Sequence, residues 1–90
     1  MKDKVVIITG GSSGIGKACA KVFGSEGAKI VITGRDLSKL KSASGELQGI
    51  DHIVIQADAA EEEDNIKMVQ QTIAHYGRID ILINNAGMSM

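Results

Sequence analysis

Cysteine is almost missing from this sequence. Cys19 is the single copy in 90 residues, so no internal disulfide can form, and a reducing cytoplasm is the expected setting. Aromatics are as scarce. Phe23 and Tyr76 are too few for the stacking platforms on which single-stranded nucleic acid lies. Neither sign of charge prevails, since 10 basic and 11 acidic side chains leave a formal net charge of −1. There is no basic stripe for a phosphate backbone and no Lys/Arg block for an anionic bilayer, so neither nucleic acid nor membrane is an expected partner. Apolar runs stop at four or five residues, far short of the roughly 20 that span a bilayer. Residues 1–4 lead straight into the first of them, which leaves no room for a signal peptide. Repeats, low-complexity tracts and linkers are absent as well. The length suits one small domain near the lower limit for a single core.

What the chain does have is strict alternation of strand and helix patterns. Val5 to Thr9, Ile30 to Thr33, Ile53 to Ile55 and Ile79 to Ile83 are short apolar runs of the kind found in strands buried on both faces. Between them, Ile15, Ala18, Cys19, Val22 and Phe23 repeat at helical spacing, as do Leu37, Leu40 and Leu47, and then Ile66, Val69, Ile73 and Tyr76. Gly24, Gly27 and Gly77 mark helix ends. Such alternation predicts an α/β fold with right-handed parallel crossovers, a Rossmann-like doubly wound sheet of four strands in the order 3-2-1-4 with three helices. In that order the crevice lies between strands 1 and 4.

Both informative motifs fall at the carboxyl ends of those two strands. Thr9 to Gly16 read T-G-G-S-S-G-I-G between the first strand and the first helix. Gly10, Gly14 and Gly16 would let a pyrophosphate approach the helix N-terminus, where free N–H groups and a partial positive charge wait, and Ser12 and Ser13 add hydroxyl donors. A plain glycine turn is the alternative. A second rival is the P-loop, because Gly11 to Ala18 read G-S-S-G-I-G-K-A. That pattern needs Ser or Thr at its last position to hold Mg²⁺, and Ala18 has no hydroxyl. The acidic run Glu61 to Asp64 suits a helix N-terminus better than a metal, and no metal site is expected. His52 and His75 read as surface residues, and Cys19 as a small core side chain.

Thr9-Gly10-x-x-x-Gly14-Ile15-Gly16, Asp58 and Asn84-Asn85-Ala86-Gly87, with the Gly77-to-Ile83 segment before the last motif, together resemble the short-chain dehydrogenases/reductases, the SDR family. The resemblance runs the length of the chain and matches the front part of a family member. It implies that the loop of Gly10, Ser12, Ser13, Gly14, Ile15 and Gly16 cradles a dinucleotide pyrophosphate. It implies that Asp58 accepts from the adenine amino group beside Ala59, and that Asn85, Ala86 and Gly87 line the floor near the adenosine ribose. Asp58 as a helix cap and Asn84-Asn85 as a pair of sheet-tying hydrogen bonders are the alternatives.

The end of the second strand bears on the cofactor. An NAD site places a carboxylate there for the ribose 2′-hydroxyl. By resemblance that position is Gly34, followed by Arg35, whose planar fork suits a 2′-phosphate. Asp36 reads as the cap of the next helix. NADP is therefore expected over NAD. The family's hydride chemistry uses a serine and a Tyr-x-x-x-Lys pair. The only tyrosine here is Tyr76, with Asp80 four residues on, so no catalytic residue is assigned up to Met90. The expected function is the NADP-binding front of an oxidoreductase acting on a carbonyl or alcohol, in a chain read as a fragment that is inactive alone. A non-catalytic nucleotide-binding module and, more remotely, a P-loop hydrolase are the alternatives. The fourth strand would lack a neighbour, so self-association through its edge is expected, with relief by lysine at Ile81 or Ile83.

Overall fold

A computed structural model describes residues 1–12 and 14–85. Four parallel strands, β1 (Val5–Thr9), β2 (Lys29–Gly34), β3 (His52–Gln56) and β4 (Ile81–Asn84), form one sheet in the order β3-β2-β1-β4. Helices α1 (Gly14–Ser25), α2 (Leu37–Gly45) and α3 (Glu62–Tyr76) connect them in turn. The expected fold class and strand order are both found.

The strands alternate between two cores. Val6, Ile8, Ile30 and Ile32 meet Ala20 of α1 and Leu40 and Ala43 of α2 on one face. Val5, Ile7, Val31 and Ile55 meet Met68 of α3 on the other. Each fully buried Val or Ile side chain is worth about 1.5–3 kcal/mol, and β1 and β2 are covered on both sides, which is why they read as unbroken apolar runs. Leu47 lies past the end of α2 and is nonetheless fully buried.

The helix faces differ from their apolar spacing. In α1 the side turned to the sheet is Gly16 and Ala20, with Cys19 and Phe23 half-buried, whereas Ile15 and Val22 are 45% and 55% exposed. In α3 the buried residues are Met68 and Thr72, while Ile66, Val69 and Ile73 are 50%, 43% and 45% exposed. Small residues let a helix backbone lie close on a strand, and Thr72 is buried at no polar cost because its hydroxyl donates to the Met68 carbonyl at 2.8 Å. Neither feature carries a hydropathy signal.

Local chemistry fixes the ends. The Asp36 carboxylate accepts from Lys39 N at 3.2 Å and caps α2, as expected. α3 begins after Glu61, not after Asp58, and ends at Gly77 in the left-handed region, φ 80°. His52 is half-buried rather than a plain surface residue. Its Nδ1 lies 2.8 Å from the Ile50 carbonyl and its Nε2 2.6 Å from Ser44 Oγ. The carbonyl can only accept, so in the neutral ring Nδ1 donates and Nε2 accepts from Ser44. β4 starts two residues later than its apolar run, because Asp80 serves as a clamp. Its carboxylate accepts from Val5 N at 2.9 Å and pairs with Arg78 at 2.6 Å. The Val5 hydrogen bond, then Arg78, hold the Asp80 pKa below the usual carboxylate value.

Candidate functional site

The two motifs meet at the carboxyl ends of β1 and β4, as the strand order requires. Thr9, the buried last residue of β1, is the hub. Its hydroxyl lies 3.1 Å from Asn84 Oδ1 and 3.4 Å from the Ile83 carbonyl, and accepts from Asn85 N at 3.0 Å. Asn85 Nδ2 donates to the Gly10 carbonyl at 3.0 Å. The end of β4 is thus sewn to the first turn of the glycine loop. The sheet-tying role foreseen for Asn84 and Asn85 as a pair is present.

The loop itself is built on close approach. A Cβ on Gly16 would strike the Gly10 carbonyl oxygen and lie 2.7 Å from Asn85 Nδ2, so the loop closes only with glycine there. Gly14 takes φ +56° with open space around it, a left-handed conformation that L side chains resist. Gly14 and Gly16 thus leave two of the first three positions of α1 without a side chain, the access that an anion at a helix N-terminus needs.

Beside the loop opens a cleft of about 540 Å³, lined by Gly10, Ser12, Thr33 to Asp36, Lys39, Ala57 to Ala60 and Asn84. This is an ordinary volume for a cofactor site. Gly34 forms part of its wall, and a Cβ there would sit 3.5 Å from Ser12 Oγ. Arg35 is exposed; its carbonyl accepts from Gln56 Nε2 at 3.1 Å, while its guanidinium has no partner among the described residues. Asp58 is half-buried, with Oδ1 accepting from Ala60 N at 2.9 Å, and its own N–H donates to Asp64 at 2.7 Å.

Of the expected site residues, Gly10, Ser12, Arg35, Asp58 and Ala59 line this one cleft. Gly14, Ile15 and Gly16 form the adjoining helix start, and Asn85 braces the loop from behind. Ser13, Ala86 and Gly87 lie outside the described residues. One contributor, Lys39, lacked a sequence signal. Thr9 opens the glycine motif, but its tie to the end of β4 shows only once its partners are known. The P-loop reading fails on Lys17, whose ammonium is bound to Glu46 at 2.8 Å rather than turned to the loop. Lys17 and Lys21 together hold the Glu46 pKa below its ordinary value. Among the described residues no group of acids, histidines or cysteines has metal-binding geometry, and no helix is long and apolar enough to cross a membrane.

The family model described as short chain dehydrogenase matches residues 4–90. The chain belongs to the short-chain dehydrogenases. An oxidoreductase of Staphylococcus saprophyticus is 37% identical over 93 residues, covering 100% of this chain and 40% of its own. A short chain dehydrogenase from Bacillus anthracis superposes with a TM-score of 0.90 at 50% identity, over 94% of this chain and 35% of that one. A metagenomic short-chain oxidoreductase solved in complex with NADP gives 0.90 at 34% identity, over 98% and 41%. This short-chain dehydrogenase chain therefore spans at most 40% of the length of the curated relatives reported for it.

Proposed function

We propose that residues 1–90 are the NADP(H)-binding front of an oxidoreductase that moves hydride between the cofactor and a carbonyl or alcohol in the full-length protein. The observation that carries the cofactor choice is Gly34-Arg35 at the end of β2. Gly34 stands where an NAD site would put a carboxylate, and the guanidinium that follows has no partner among the described residues. The NADP complex of the metagenomic relative supports the same reading.

Each residue then has a task. Gly10, Gly14 and Gly16, with Ser12 and Ser13 as donors, hold the pyrophosphate over the start of α1. Arg35 takes the 2′-phosphate. Asp58 and Ala59 read the adenine edge. By the family resemblance Asn85, Ala86 and Gly87 are assigned to the floor near the adenosine ribose, and Asn85 also fixes Gly10. The bound cofactor supplies or accepts the hydride, and these side chains only bind and orient it. We assign the proton-transfer groups to the rest of the full-length protein. Tyr76 does not fill that role, because its hydroxyl donates to Asp51 at 2.7 Å at the amino ends of the strands, across the sheet from the cleft. Burial, then Asp51, raise its pKa still further above that of a free tyrosine. A cytoplasmic location goes with this reading and is supported by the lone, half-buried Cys19.

Calorimetric titration with 2′-phospho-ADP-ribose and with ADP-ribose tests the assignment. A charge-assisted hydrogen bond is worth about 1.5–3 kcal/mol, so Arg35→Ala should weaken the phosphorylated ligand roughly 10- to 150-fold and leave the other nearly unchanged. Equal losses would contradict it. The same samples should consume no NADPH with a carbonyl compound.

A further inference from the structure

Five of the ten basic side chains are already engaged. Lys17 and Lys21 hold Glu46, Arg78 holds Asp80, Lys67 donates to the Gln56 carbonyl, and Lys29 lies 5.8 Å from the Tyr76 ring centroid. Two of the remaining five line the cleft, Arg35 and Lys39. Among the described residues neither has a hydrogen bond or ion pair from its cationic group. Both are exposed.

The backbone around both is nevertheless fixed. The Arg35 carbonyl is held by Gln56, and Lys39 N is held by the Asp36 carboxylate. The two residues therefore flank the Asp36 cap and line one cleft. The acids of that wall are occupied in part. Asp36 Oδ1 is turned to the α2 N-terminus, and Asp58 Oδ1 to Ala60 N. Across from them Ser12 Oγ stands near Gly34, with no partner of its own among the described residues.

We propose that Lys39 is a specificity-determining residue, a second cation that grips the 2′-phosphate together with Arg35. This rests on the NADP reading above and adds to it. Two cations disposed around one phosphate hold it better than one, and the second gain is carried by a point charge rather than a planar fork. It should therefore be smaller than that of Arg35 and more sensitive to salt.

The test is calorimetric titration of the full chain with 2′-phospho-ADP-ribose and ADP-ribose at low and near-physiological salt. The variants are Lys39→Met, Lys39→Arg and Lys41→Met. Lys41 is exposed and outside the cleft, so it controls for loss of one charge. Lys39→Met should weaken the phosphorylated ligand about 5- to 10-fold, between a screened surface pair and a full charge-assisted hydrogen bond. ADP-ribose should be unaffected, Lys39→Arg should restore most of the loss, and Lys41→Met should do little. If the unsubstituted chain prefers the phosphorylated ligand but Lys39→Met behaves like Lys41→Met, or weakens both ligands alike, this inference falls and the cofactor reading stands. If the unsubstituted chain shows no preference, the cofactor reading falls and this inference with it.

Discussion

At the scale of the residue, the site depends on a few side chains that serve backbone groups. Thr9 supplies one hydroxyl to two motifs, accepting from Asn85 N and lying 3.1 Å from Asn84 Oδ1. Thr9→Val keeps the shape and removes the hydroxyl. It should cost about 1–3 kcal/mol, the usual result of leaving a buried polar group short of a partner, and should weaken dinucleotide binding through the loosened Gly10 turn. Urea unfolding and ligand titration of the same variant check both, and unchanged stability would show that water replaces the hydroxyl. Asp80 is the second such residue. Its pKa is lowered in the fold by Val5 N and then Arg78. A carboxylate depressed on folding contributes stability that is fully present above its unfolded value, about 3.9, and lost as pH falls through the lower folded value. Thermal melts from neutral pH down into strong acid should therefore show a steep acid limb. Asp80→Asn should flatten it, and parallel curves for the two proteins would contradict the clamp.

At the scale of the element, what the sequence discloses depends on how an element is buried. Strands β1 and β2 are covered on both faces, so burial and hydropathy coincide and their bounds are nearly legible. Helices α1 and α3 lie on the sheet through Gly16, Ala20 and Thr72, residues that hydropathy does not mark. Their conspicuous apolar stripes, Ile15 with Val22 and Ile66 with Val69 and Ile73, point outward instead. The glycine loop and the Gly34-Arg35 corner were legible because close approach and charge leave a residue-type signature. The tie of Thr9 to β4 and the place of Lys39 were not, because they come from where β4 and the Asp36 cap put these residues. Strand β4 shows the same limit. Ile81 and Ile83 pack against the α1/α2 core, and Leu82 is 57% exposed on the opposite side. Within the described residues β4 has one neighbour, so its outer edge is open to pairing. The isolated chain should self-associate at tens of micromolar in sedimentation velocity. Leu82→Lys is the change that relieves it, whereas lysine at Ile81 or Ile83 would cut into the core and unfold the chain. A single monomer boundary for the unsubstituted protein would refute the open edge.

At the scale of the whole molecule, the strand order decides function. Because β1 stands between β2 and β4, the chain leaves the sheet in opposite directions on the two sides of β1, and a crevice opens at their carboxyl ends. The glycine loop, the Gly34-Arg35 corner and the Asp58 turn all converge on that one edge, while Tyr76 and Asp51 sit on the other. On the proposed function this edge is a binding platform, and the end of β2 is where its cofactor specificity would lie. The most direct test is competition between NADP⁺ and NAD⁺ for the unsubstituted chain, followed by calorimetry at fixed ionic strength. The account predicts one site per chain and tighter binding of NADP⁺, by roughly 10-fold or more from the Arg35 contact alone. Equal affinities, or tighter binding of NAD⁺, would contradict it.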